Sequence, residues 1–498
     1  MATPPAPDEL GFQPDPNDPQ PIYLQLTAAL ADAIRAGRLA VGAQLPSERL
    51  YAQRLGLSRT TVTAAYGELK AAGLVRGYVG RGAVVIADDP DRAFDDAIAW
   101  PQLASRLAQP TQPNVRAAEP GSVAFGDGWL HPSLTPRAAL AACAASALDD
   151  PELLNKAAPI LGLGTLREAL LEMLRANGVV AAHGELLVTG GAQQGLNVVA
   201  RALLSPGDVV VCESPTWHGA FRAFRAAGAE VAGVAMDREG VDPDALEAAL
   251  IRLRPAFVYL IPTFHCPTGR LLGLERRRRI LELCARFRTP IVESHVYGDI
   301  AFGETPPSLK SLDEAGIVIH QGSASKTVSP ALRLGWLVAP RAAMELLAPA
   351  KASLDLSTPA LTQAVLATFL RGGGYARHLP PFRAALETRR DGLLAALALH
   401  CPELRWLTPQ GGLYLWAQLP QLSHAAEVEA AAAEAGVWVR GGEAFMPDGG
   451  TSSHIRLCYA SPALDEIATG AQRLGQALRT VLHRHRDSAA RATAFASV

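Results

Sequence analysis

The sequence predicts a two-part α/β chain. A small winged helical module comes first, followed by a large body with a mainly parallel sheet between helical layers and a small α+β part near its C-terminal end. Three observations carry this. Residues 20–87 hold three short amphipathic stretches separated by glycines, then two β-rich runs around a basic glycine turn. Residues 121–480 alternate β-rich runs with helical segments, the pattern of a parallel sheet covered on both faces. Residues 88–120 are rich in proline and polar residues without periodicity, which marks a linker.

Bulk properties agree with a packed protein that has one charged appendage. The 498 residues suffice for two or three domains. Apolar residues make up 49% and charged residues 19%, which argues against a disordered chain. No apolar run reaches about 18 residues, so no membrane span is expected. The opening MATPPAPDELGFQPDPNDPQ lacks the basic region and apolar core of a signal peptide, and residues 1–19 read as a disordered leader. Six scattered cysteines with no CxxC pair suit reduced thiols in a cytoplasm better than disulfides or zinc. Net charge is −2, divided as −4 over residues 1–19, +5 over 20–86 and −3 over the remainder. That division points to an anionic partner for the first module alone.

Within that module, Leu24, Leu26, Leu30 and Ile34 give Leu24–Ala36 the spacing of an amphipathic helix, stopped at Gly37. Ser47 is placed to cap a second helix through Leu55; Gly56 turns, and Ser58 is placed to cap a third, Arg59–Ala72. Two short helices across a tight glycine turn are a helix-turn-helix, and Leu74–Ile86 reads as a two-stranded wing. The third helix would present Ser58, Arg59, Thr60, Thr61 and Thr63 to the phosphates and base edges of double-stranded DNA. Arg49, at a helix start, and Arg81, at the wing tip, would flank it.

In the body the expected strands are Leu186–Thr189, Val209–Cys212, Glu230–Val234, Phe257–Ile261, Ile291–Glu293 and Val318–His320. Ligands of such sheets sit at the carboxyl ends of the strands, and the chemistry collects there. Gly191, Ala192 and Gln193 open a helix after the first strand, where free backbone N–H groups can hold phosphate. Trp217, after the second strand, offers an aromatic face. Lys326 has Ser323 and Ser325 before it and Arg333 seven residues after. A deprotonated lysine condenses with an aldehyde. Hydroxyls and an arginine make a site for a phosphate dianion. An aldehyde that carries a phosphate is pyridoxal 5'-phosphate (PLP).

Residues 21–82, PIYLQLTAALADAIRAGRLAVGAQLPSERLYAQRLGLSRTTVTAAYGELKAAGLVRGYVGRG, resemble the winged helix-turn-helix of GntR-type transcription regulators nearly end to end. Residues 321–336, QGSASKTVSPALRLGW, resemble the Schiff-base lysine segment of aminotransferases of fold type I. Over roughly residues 20–480 the chain is similar to the MocR (GabR-like) subgroup of the GntR family. The resemblance implies a homodimer whose bodies bind PLP through Lys326. Gly191, Ala192 and Gln193 would lie at its phosphate, Trp217 on the ring and Tyr297 on the phenolic oxygen. Arg456, in Ser-His-Ile-Arg-Leu, falls on the arginine that grips an amino acid's α-carboxylate. Together with Gly-Gly-Leu-Tyr-Leu-Trp it resembles the aminotransferase small domain, about residues 375–480; residues 481–498 read as a basic tail. An amine or amino-acid effector would then form an external aldimine in exchange with Lys326 and shift the domain geometry.

Three positions depart from the family pattern. Cys266 stands where the family has an Asn that bonds the phenolic oxygen, and a thiol is a poor donor. Ser294 stands where an Asp keeps the pyridine nitrogen protonated, so the electron sink is weakened. Ala157 replaces a tyrosine that reaches the partner subunit's phosphate. Lys326 and the phosphate cup remain, which favours sensing over turnover, with at most weak aminotransferase activity. Two alternatives stay open: a working aminotransferase with an appended DNA-binding module, and a regulator whose body has lost PLP.

Overall fold

A computed structural model describes residues 12–16, 18–78, 82–86, 121–420 and 424–496, apart from the side chains of Tyr78, Gly82 and residues 487–496. Arg81, the linker 88–120 and most of the leader therefore lie outside the described residues. The chain divides into two compact units, Met1–Gln109 and Pro110–Val498.

The first unit has helices Ile22–Arg35, Glu48–Leu55 and Arg59–Ala71, then strands β1 (Val75–Tyr78) and β2 (Gly82–Val85), which pair antiparallel. The two serines act as caps: Ser47 accepts from the Leu50 N–H at 3.4 Å and Ser58 from the Thr61 N–H at 3.1 Å. Gly56 closes the second helix at φ 65, a conformation open to glycine at little cost. Leu26, Leu30 and Ile34 form one buried stripe against Tyr51, Val62 and Leu69. Burial of each of these side chains stabilises the unit by about 2 kcal/mol.

β3 (Val123–Ala124) opens the second unit. Its main sheet comprises β4 (Leu186–Thr189), β5 (Val209–Ser214), β6 (Glu230–Asp237), β7 (Gly240–Val241), β8 (Phe257–Leu260), β9 (Ile291–Ser294), β10 (Val318–Ser323) and β11 (Gly335–Val338), in the order β4-β11-β10-β9-β8-β5-β6-β7. The centre is parallel; β11 runs antiparallel to both β10 and β4. Several strands differ from the expectation: β6 runs on to Asp237, β8 stops at Leu260, and β7 was not anticipated. β5, β9 and β10 continue past their apolar cores into the polar residues Glu213, Ser214, Ser294, Gln321 and Ser323, of which Ser294 and Ser323 line the cavity described below. β11 was not anticipated, since its short run Gly-Trp-Leu-Val follows directly on the lysine stretch.

The remaining strands, β12 (Arg405–Trp406), β13 (Tyr414–Gln418), β15 (Arg440–Gly441) and β16 (His454–Cys458), make a small antiparallel sheet. β14 (Val437–Trp438) pairs in parallel with β3, which ties the start of the unit to its C-terminal part. Helix Glu466–Ala496 runs on through the stretch read as a basic tail. Among the described residues no helix is long and apolar enough to cross a membrane.

Candidate functional site

A cavity of about 380 Å³ opens at the carboxyl ends of the central strands. Its wall includes Ala192, Gln193, Trp217, Cys266, Ser294 and Tyr297 from the strand ends and helix starts. Ser323, Ser325, Lys326 and Arg333 come from the β10–β11 connection, and Arg456 from β16. Gly191 stands one step behind. It caps helix Ala192–Leu203 at φ 96, and a Cβ there would lie 2.8 Å from the Arg333 Nη2.

Lys326 reaches across the cavity. Its Nζ donates to the Gly128 carbonyl at 2.8 Å and lies 5.1 Å from the centre of the Trp129 ring. Burial pushes its pKa down to about 8, and the charges of Arg456 and Arg333 act in the same direction. At pH 7 that enlarges the neutral, nucleophilic fraction roughly 300-fold over an ordinary lysine.

Beside it is a cup for an anion. The helix at Ala192 has no side-chain cap, so its first N–H groups are free. The Ser325 hydroxyl is buried without a partner. Arg333, at φ 50, lays its guanidinium along the Gly190–Gly191 turn and donates to the Gly190 carbonyl at 3.2 Å. Ser323 donates to the Leu334 carbonyl at 3.1 Å and accepts from the Ser325 N–H at 3.2 Å. A chain of contacts fixes the turn from behind. The Gly190 N–H donates to Gln194 at 2.6 Å, Gln194 donates to Asp355 at 2.6 Å, and the fully buried Lys351 pairs with Asp355 at 2.7 Å. An orphaned hydroxyl, a free helix start and a guanidinium form the donor set of a phosphate dianion, so these residues fit PLP.

The walls between cup and mouth also match a flat ring with polar edges. Trp217 contributes an aromatic face. Tyr297 donates to the Tyr414 hydroxyl at 3.3 Å, their rings edge to face at 5.7 Å. Burial raises the Cys266 pKa, so its thiol stays protonated, with the Arg456 Nη1 at 3.9 Å. Ser294 is buried and neutral at the end of β9. Strand alternation turns its neighbour Glu293 to the other face. There, although burial alone would raise the Glu293 pKa, the hydrogen bond from His320 at 2.8 Å and the Leu309 N–H hold it at about 2. Glu293 is thus tied up away from the cavity that Ser294 lines.

The first unit is described by itself. Arg49, Ser58, Arg59, Thr60 and Thr63 are exposed and Thr61 is partly so. The Ser58 hydroxyl is 2.7 Å from those of both Thr60 and Thr61. Thr63 donates to Glu48 at 2.9 Å, and the Arg59 Nε is 3.9 Å from the same oxygen. Glu48 was not singled out in the sequence, yet it orders two of the residues that were.

The aminotransferase class I and II family matches residues 127–474, and the bacterial regulatory proteins of the gntR family match residues 22–85. The HTH-type transcriptional regulator TauR of Rhodobacter capsulatus is 31% identical, covering 91% of this chain and 96% of its own. The probable rhizopine catabolism regulatory protein MocR of Rhizobium meliloti is also 31% identical, covering 78% of this chain and 79% of its own. This chain belongs to the MocR-type regulators of the GntR family. The crystal structure of LysN, an α-aminoadipate aminotransferase of Thermus thermophilus complexed with N-(5'-phosphopyridoxyl)-L-leucine, resembles its body with a TM-score of 0.73 at 35% identity. That match covers 78% of this chain and 100% of the other.

The MocR-type body also holds site residues that the sequence did not reveal. Asp127, Gly128 and Trp129 roof Lys326, and His218, Tyr259, Tyr414, Trp438 and Arg440 complete the wall. One signal was present in Phe-Gly-Asp-Gly-Trp (125–129), where two glycines bracket an acid. A Cβ on Gly126 would meet the Trp438 indole at 2.7 Å, and one on Gly128 the Tyr414 hydroxyl at 2.6 Å. Ala157 is exposed on the surface of the unit.

Proposed function

We propose that this MocR-type regulator holds PLP in the cavity around Lys326, senses an amine or amino acid there, and acts on double-stranded DNA as a cytoplasmic homodimer. The observation that carries the reading is a lysine of lowered pKa beside an anion cup whose Ser325 hydroxyl has no protein partner. Ala192, Gln193, Ser323, Ser325 and Arg333 would hold the phosphate, Trp217 the ring face, and Tyr297 with Cys266 the phenolic edge. PLP supplies an aldehyde that condenses with primary amines and a ring that withdraws electrons. Lys326 offers the amine, and Arg456 orients an incoming carboxylate. Ser294 provides a hydroxyl but no negative charge, so it cannot keep a ring nitrogen protonated; this supports sensing, with slow turnover at most. A second copy of the chain is what the likeness to this family implies.

The experiment starts from a randomised duplex pool, from which the PLP-loaded full chain selects its sequence. Anisotropy of the selected duplex is then followed while primary amines and amino acids are added, with Lys326→Ala in parallel. The reading requires a response that is lost in Lys326→Ala while DNA is still bound. An undiminished response in that variant contradicts it.

A further inference from the structure

Arg440 and Arg456 stand directly opposite each other in the β15–β16 pair, and both line the cavity. Like charges at directly opposed positions repel, and each carboxylate placed beside them offsets part of that repulsion. Arg456 is 5% exposed and gives its N–H groups to the carbonyls of Gly126 at 2.6 Å and Asp127 at 3.4 Å, leaving its Nε without a partner. Arg440 lies over the Trp438 ring at 5.1 Å and is 3.6 Å from Glu429. His218 lines the same end, its Nδ1 buried without a partner. Arg222 follows it by four residues on helix His218–Ala226, hence on the same helix face. Burial and the charges of Arg456, Arg222 and Arg440 lower the His218 pKa to about 3, so the imidazole remains a neutral hydrogen-bonding group among guanidinium ions. Asp127 is the one carboxylate in the wall among the described residues.

One arginine suffices for the α-carboxylate of an amino acid. We infer that the end of the cavity formed by Arg440, Trp438 and His218 receives a second anionic group, so that the effector is an amino acid with an acidic side chain. The inference rests on the reading that the Lys326 cavity takes an amino acid. A carboxylate received there adds to Glu429 in offsetting the Arg440–Arg456 repulsion, and desolvated guanidinium–carboxylate bonds are the strong ones. Asp127 sets the opposing case, because a wall carboxylate that already neutralised both arginines would leave nothing for an acidic side chain to gain.

The test compares isosteric pairs that differ by one charge. PLP-loaded full-length protein is titrated calorimetrically with L-glutamate against L-glutamine and L-aspartate against L-asparagine. For at least one pair the acid should bind about tenfold or more tighter than its amide. Arg440→Gln should bring that ratio close to one, and Arg440→Lys should keep part of it. Thermal melts check that the variants fold; if Arg440→Gln does not, an undiminished ratio in Arg440→Lys overturns the inference. Equal binding of acid and amide by the unaltered protein also overturns it, and leaves the sensing reading intact if neutral amino acids bind in a Lys326-dependent way. Failure of every amino acid to bind the loaded protein overturns both.

Discussion

The Nζ of Lys326 donates to the carbonyl of Gly128, 198 residues earlier in the chain, at 2.8 Å. The acceptor sits in a loop pinned by the β3–β14 pair on one side and by the Ser461 hydroxyl, which donates to the Trp129 carbonyl at 2.7 Å, on the other. The reactive amine is thus held by a segment that belongs structurally to the C-terminal part. A group bound covalently at the Lys326 Nζ would compete with this bond, which lies where the two parts of the unit meet.

The lowered pKa of Lys326 makes a pH prediction. Only the neutral amine attacks, so the rate of PLP attachment should rise with pH up to about 8 and level off above it. The same shift affects stability. The folded pKa, about 8, lies below the ordinary 10.5, so the folded state disfavours the charged lysine. That penalty is complete below about pH 8 and vanishes above about 10.5, and this group makes cofactor-free protein more stable as pH rises through that window. A stopped-flow rate that is flat between pH 7 and 9 would count against the assignment.

Ser325→Ala should weaken PLP binding by about tenfold, the usual worth of a hydrogen bond to a charged group. Its hydroxyl has no protein partner to lose, so the unliganded protein should melt at nearly the same temperature. An unchanged PLP affinity by fluorescence titration would show that the anion sits elsewhere.

Ser294→Asp should speed the half-reaction with an amino acid, since a carboxylate there would keep a ring nitrogen charged. Single-turnover absorbance measures it. If the variant gains nothing, the thiol of Cys266 or the closed Gly128–Trp129 roof sets the limit instead.

On the DNA side, Arg59→Ala should lower affinity for the selected duplex and reduce the slope of log affinity against log salt by about one, as for the loss of one phosphate contact. Equal slopes in variant and parent would mean that Arg59 does not touch the backbone.

How much was legible follows from what each residue depends on. The caps Ser47 and Ser58 and strand β4 rest on local chemistry, and the structure forms them where the sequence placed them. Lys326, Arg333 and Arg456 were found through motifs, and they share one cavity although 130 residues separate the first from the last. Asp127, Trp129 and Arg440 were not found. They arrive on or beside the two-residue strands β3, β14 and β15, too short to leave a periodic signal. Polar strand ends such as Gln321–Ser323 were cut short for a related reason, because a site-facing residue breaks the apolar pattern that marks a strand.

The central claim, that this regulator carries PLP on Lys326, is tested most directly by chemical trapping. Full-length protein is incubated with PLP, reduced with borohydride, digested and analysed by mass spectrometry, with Lys326→Ala treated alongside. The account predicts a phosphopyridoxyl mass on the peptide that contains Lys326 and none in the variant. An unlabelled Lys326 peptide, or the same label in both proteins, would contradict it.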